Sequence, residues 1–82
     1  MIRILFFGRL SDRFGGLDMA MALPDGVSDL AALKLWLERE FDAIDVLSEP
    51  SIRVMVNKVL VHDNPALNGD EEIGFLPPVG GG

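Results

Sequence analysis

Ile2-Arg3-Ile4-Leu5-Phe6-Phe7-Gly8 decides the architecture. Side chains alternate sides along a strand, so Ile2, Ile4 and Phe6 share one face, while Leu5 and Phe7 make the other face apolar too. A strand apolar on both faces belongs inside a sheet. Gly8 ends it. Working outward, Leu10 to Phe14 has room for one or two helical turns, with Ser11 as the cap and Gly15-Gly16 as the stop. Leu17, Met19, Met21 and Leu23 then alternate with Asp18, Ala20 and Ala22, the pattern of a strand with one apolar face. The glycine pair between these strands predicts a long antiparallel hairpin. Pro24-Asp25-Gly26 closes the second strand as a turn.

Ser28 opens the clearest helix. Its hydroxyl is placed to accept an early backbone N–H, with Asp29 at the positive end of the helix dipole. Leu30, Leu33, Leu37 and Phe41 form one continuous apolar stripe. Lys34, Glu38 and Arg39 lie away from it, with Lys34 and Glu38 spaced as an i,i+4 pair. Leu35 and Trp36 widen the apolar arc, so one of them is expected to be partly exposed. Asp42 to Ser51 reads as a connecting loop. Ile52, Val54 and Val56 give a third strand, Asn57-Lys58 a tight turn and Val59 to Val61 a fourth strand. After a turn at Asn68-Gly69 and the acidic Asp70-Glu71-Glu72, Ile73 to Leu76 is the last strand.

The order predicts an α+β domain, a mixed sheet of about five strands with one main helix packed on one face. The first and last strands are the most apolar and are expected side by side in the centre. That order fits a ubiquitin-like β-grasp roll. A ferredoxin-like domain would want a second full helix, which residues 42–51 and 62–68 are too short and broken to supply. The domain is expected to span residues 1–76, and residues 77–82 an extended flexible C-terminal tail.

Composition narrows the functions. The chain has 82 residues, enough for one small domain. Seven basic against thirteen acidic residues give a net charge of −6, which disfavours nucleic acid and anionic membranes as partners. Without cysteine there is no disulfide, thiolate metal site or cysteine nucleophile, and a single histidine cannot build a histidine-rich zinc site. No apolar run approaches a membrane span and no signal-peptide layout opens the chain, so a cytoplasmic location is expected. His62 reads as a solvated strand-end residue. Asp70, Glu71 and Glu72 read as a solvated turn rather than a metal site. Met19 and Met21 read as core.

What remains is Phe75-Leu76-Pro77-Pro78-Val79-Gly80-Gly81-Gly82. Two prolines deny donors to a sheet ladder and send the chain out in extended form. Three glycines carry no Cβ, so the last stretch can thread a narrow channel. Its only reactive group is the α-carboxylate expected on Gly82. A carboxylate is a poor acyl donor until ATP converts it to an acyl-adenylate. A sulfur nucleophile that displaces AMP then leaves a thiocarboxylate.

With these residues in view, the chain resembles the small, sulfur-carrier subunit of molybdopterin synthase over its whole length. The resemblance rests on Ile2 to Gly8, on Val56-Asn57-Lys58, on Asn68-Gly69-Asp70-Glu71 and above all on the Phe75 to Gly82 tail, in which Gly80 fills the variable position. It implies that Gly82 is adenylated by an ATP-dependent enzyme of the ubiquitin-activating type, thiocarboxylated by a sulfur-relay protein and inserted into the large synthase subunit. Sulfur would pass there to a cyclic pyranopterin monophosphate, in a heterotetrameric assembly. The tail residues Pro77, Pro78, Val79, Gly80 and Gly81 would carry the glycine. An apolar contact surface would map to Phe75 and Leu60, although alternation with Ile73 equally allows Phe75 to face the core. The resemblance implies no enzyme activity in the chain alone and no bound cofactor, the ATP being used by the partner. A thiamine-type sulfur carrier, a ubiquitin-like modifier and a non-catalytic interaction module are the alternatives.

Overall fold

The doubly apolar first strand takes an interior position. In the computed structural model, which describes residues 1–78, the elements are β1 Ile2–Phe6, α1 Leu10–Arg13, β2 Asp18–Met21, α2 Leu30–Glu40, β3 Arg53–Val56, β4 Val59–Val61 and β5 Glu72–Leu76. The strands form one sheet in the order β2-β1-β5-β3-β4. β1 pairs antiparallel with β2 and parallel with β5, with Ile4 opposite Ile73 and Phe6 opposite Phe75. β5 pairs antiparallel with β3, and β3 with β4. The expected ubiquitin-like β-grasp roll is therefore present, with the first and last strands adjacent in the centre.

The alternation of β1 sets the core. Ile2, Ile4 and Phe6 are buried with Ile73 and Phe75 of β5, Val54 of β3 and the Leu30, Leu33 and Leu37 stripe of α2. Phe6 stacks between Phe14, with centroids 4.5 Å apart, and Phe75 at 5.7 Å. Such pairs add roughly 0.5–1.5 kcal/mol beyond the burial of their area. Leu35 is exposed and Trp36 half-buried, as the wide apolar arc of α2 requires. Met19 and Met21 pack against the core. Asn57 and Lys58 both adopt left-handed backbone, φ 51° and 69°, the geometry of a two-residue hairpin that follows the twist of β3 and β4.

Four local expectations are corrected. The cap of α2 is Asp29 rather than Ser28: its carboxylate accepts from the Ala32 N–H at 2.9 Å. Two further free N–H groups of the first turn are met from outside the helix. Ala31 donates to Asn64 Oδ1 and Leu30 to the Pro65 carbonyl, so the segment after β4 finishes the cap. Ser11 lies inside α1, where its hydroxyl donates to the Gly8 carbonyl instead of capping.

Glu38 makes no ion pair with Lys34 among the described residues. It is 2% exposed and accepts from the Leu47 and Ser48 N–H groups and the Ser48 hydroxyl. Its position beside Leu37 at the last turn lets it tie the 42–51 loop to the helix, with Ala43 and Leu47 of that loop buried. Glu71 is likewise buried rather than solvated. Its carboxylate accepts the backbone N–H groups of Asn68, Gly69 and Asp70 at 2.7, 2.9 and 3.1 Å. Burial pushes this carboxyl up, but the converging N–H dipoles outweigh burial and hold it below the ordinary carboxylate range.

Candidate functional site

β5 is the strand from which the tail departs, and its neighbours fix the departure point. The Phe7 N–H donates to the Phe75 carbonyl at 3.0 Å, which carries the parallel ladder one residue past β1. Leu76 lies opposite Arg53 on the other side. Pro77 then has no N–H to offer and the ladder stops. Gly8 turns the chain away from β1 with φ +56°, and a Cβ placed there would lie 3.0 Å from Cγ of Pro77. The Gly8 turn and the Pro77 ring are therefore packed against each other at the root of the tail. Pro78 is exposed. The tail positions Val79, Gly80, Gly81 and Gly82, where the acyl chemistry is expected, lie outside the described residues.

The sheet face turned away from α2 collects the other half of the β1 pattern. Register places Leu5, Gly74, Met55 and Leu60 in one row across β1, β5, β3 and β4. By alternation Phe7 and Leu76 stand on the same face, nearer the tail. Gly74 makes the row continuous: a Cβ there would meet the Phe7 ring at 3.1 Å and Met55 Cε at 3.6 Å, so its absence lets those side chains close over the strand. Leu5, Phe7, Met55 and Leu76 are half-buried and Leu60 is 46% exposed. At the far edge Arg3 turns the face polar, pairing with both carboxylate oxygens of Asp18 at 3.1 and 2.6 Å. An apolar surface thus runs up to the tail root from one side of the sheet.

Leu60, assigned to a contact surface by the resemblance, is exposed in this row. Phe75 is not. It has no exposed area and its ring is stacked on Phe6 inside the core, so it cannot be a surface contact of the folded chain. The reason is the strict alternation of β5, in which the residue that follows Phe75, Leu76, faces the outer surface. Phe7 and Leu76 are the positions that sequence reading missed. The signal was present, because an apolar outer face on β1 calls for apolar neighbours on the strand beside it.

Among the described residues no three His, Cys, Asp or Glu side chains group as metal ligands, and His62 is exposed. Both buried carboxylates, Glu38 and Glu71, spend their oxygens on backbone N–H groups. No helix among the described residues is long and apolar enough to cross a membrane.

A central strand that leaves the sheet at Pro77, beside an apolar sheet face, defines a protein of the ubiquitin-like β-grasp class. The chain belongs to the ThiS family, a family of small sulfur carriers, whose description matches residues 4–82. Solved structures agree on the fold. SAMP1 from Haloferax volcanii superposes with a TM-score of 0.77 at 20% identity, over 99% of this chain and 98% of that one. A protein named as molybdopterin converting factor, subunit 1, from Pyrococcus furiosus gives 0.75 at 19%, over 95% and 97%. The small archaeal modifier protein 1 from Methanosarcina acetivorans gives 0.76 at 23%, over 99% and 95%. No curated protein sequence matches the chain.

Proposed function

We propose that the chain carries sulfur on the carboxylate of Gly82 for the synthesis of molybdopterin, acting in the cytoplasm as the small subunit of a synthase and without catalytic groups of its own. The observation that carries this reading is the construction of the tail root. β5 is clamped between β1 and β3, Pro77 is packed on Gly8, and Val79-Gly80-Gly81-Gly82 follows directly. A domain so built starts its tail from a fixed place between two strands. In the proposed cycle, a carboxylate oxygen of Gly82 attacks the α-phosphorus of ATP in an adenylating enzyme, and pyrophosphate leaves. A sulfur nucleophile delivered by a relay protein then displaces AMP, giving the thiocarboxylate. The tail enters the large subunit, where the thiocarboxylate sulfur displaces an oxygen substituent from a carbon of a cyclic pyranopterin monophosphate and water then cleaves the acyl–sulfur bond, which leaves the sulfur on the pterin and returns Gly82 to the carboxylate. The apolar face with Leu60, Phe7 and Leu76 docks against each partner in turn, since contacts beside the launch point place the carboxylate with the shortest lever arm.

The test is reconstitution with the large subunit and the adenylating enzyme. Adding one residue after Gly82, or deleting Gly82, is expected to abolish sulfur transfer while the thermal melt stays unchanged. Transfer that survives either change refutes the reading. Two of the similar structures are named as modifier proteins, which favours a second reading, in which Gly82 is joined to lysine amines of other proteins. Mass spectrometry of material from the source organism separates the two: sulfur in place of a C-terminal oxygen supports the first, and glycine remnants on partner lysines the second.

A further inference from the structure

A groove of about 600 Å³ opens beside the tail root, and its charge is opposite to that of the molecule. The chain carries −6 overall, yet the groove walls include Arg53, Lys34 and His62 against a single acid, Asp63. Arg53 reaches it from the start of β3, opposite Leu76 in the β3–β5 ladder. Lys34 comes from α2 and His62 from the end of β4. None of the three is in an ion pair among the described residues, where the bridges formed are those of Arg3 with Asp18 and Glu72. Pro78, the last described residue, is part of the wall, and so is Leu60, which also belongs to the apolar sheet face.

We propose that this groove receives an acidic segment of the partner protein that takes up the tail, with Arg53 and Lys34 pairing with its carboxylates and His62 beside them on the wall. The inference rests on the carrier reading above. Two features select the occupant. Cations left without partners in an anionic domain complement carboxylates, and this local patch reverses the repulsion that an acidic surface would otherwise meet. The groove also shares Pro78 with the tail root and Leu60 with the apolar face, so a partner seated on both would cover it. The apolar row supplies contact area, and the cations supply orientation and encounter rate.

The experiment has two arms. In the first, the wild-type chain and the Arg53→Glu/Lys34→Glu variant are titrated against the adenylating enzyme at low and at high salt, each with a thermal melt. Expected is binding weakened by about tenfold or more at low salt, a flatter salt dependence and an unchanged melt. Equal affinity and equal salt dependence overturn the proposal. Arg53→Ala serves where the double variant fails to fold, and is expected to lose part of the same salt dependence; none lost overturns the proposal. In the second arm, the isotope-labelled chain is titrated with a hexaglutamate peptide and, separately, with pyrophosphate. Amide shifts confined to Lys34, Arg53, His62 and Asp63 with the peptide support the groove even if the adenylating enzyme does not bind the wild-type chain, an outcome that refutes the carrier reading alone. Shifts with pyrophosphate and none with the peptide identify a small-anion site and overturn the proposal, as does no shift with either.

Discussion

Replacing Gly8 by alanine is expected to disturb the tail root through two separate terms, and one stereochemical control tells them apart. An L-residue in left-handed backbone costs roughly 1–2 kcal/mol, and Gly8 sits at φ +56°. The added methyl also falls 3.0 Å from Pro77 Cγ, where carbon atoms prefer about 3.5–4.0 Å, so the ring must retreat by about 0.5 Å. A tail that starts from a displaced ring carries its terminal carboxylate off position by a comparable amount. A misplacement of about 1 Å at a reacting atom can lower a rate about a hundredfold. Gly8→Ala should therefore lose roughly 4–8 °C of melting temperature per kcal/mol and slow adenylation about tenfold or more. D-alanine at position 8, introduced by chemical synthesis, suits positive φ and directs its methyl along the other Cα–H bond. It should keep the wild-type adenylation rate and melt at or slightly above the wild-type temperature, because it narrows the unfolded ensemble. Equal melting and equal adenylation for the L- and D-alanine forms would refute the reasoning.

Phe75→Ala should cost about 3–5 kcal/mol of stability in a urea titration, because the ring is core. Leu76→Ala should instead leave stability nearly intact and weaken binding to the large subunit, so the reverse result would restore Phe75 to the surface. Glu38→Ala strands two backbone N–H groups and a hydroxyl and should cost at least about 2 kcal/mol, with faster amide exchange at Leu47 and Ser48; Glu38→Gln, which keeps an acceptor, should cost less. For Glu71 the folded-state pKa lies below the unfolded value of about 4.5, so its contribution is fully present above that value and lost as pH falls through the folded one. Urea midpoints should therefore drop on acidification more steeply for wild type than for Glu71→Gln, and parallel curves would exclude the backbone N–H nest as the cause.

The topology was legible because β1 is apolar on both faces, which demands an interior strand, and because α2 carries an uninterrupted leucine stripe. Asn57-Lys58 and the 59–61 strand were legible from turn chemistry and β-branching. Several of the misread residues depend on where a loop places its backbone groups. Glu38 and Glu71 look solvated by residue type, but each is buried by receiving N–H groups that a loop turns toward it, nine and ten residues away for Glu38 and within three residues for Glu71. Asp29 and Ser28 are both good caps, and the choice is made by Pro65 and Asn64 arriving from more than thirty residues away. The resemblance pointed to Leu60 and Phe75 for the contact surface, and alternation with Ile73 left Phe75 open between core and surface, because a resemblance does not by itself carry the parity of a strand; Leu60 is exposed and Phe75 is core. The Arg53, Lys34 and His62 groove had no sequence signal, since its walls come from three separate elements.

The placement of β5 also decides what happens when the tail is pulled. β1 runs parallel to β5, so its N-terminal end lies at the opposite end of the sheet from Leu76. Traction on the tail therefore acts along the strand axis, and the inter-strand bonds on both sides lie across the line of force. They bear the load together rather than opening one after another, as they would if an edge strand were peeled away. A pull along that axis is shared by the ladders to β1 and β3 at once, so the strand that carries the tail is the one the sheet holds from both sides.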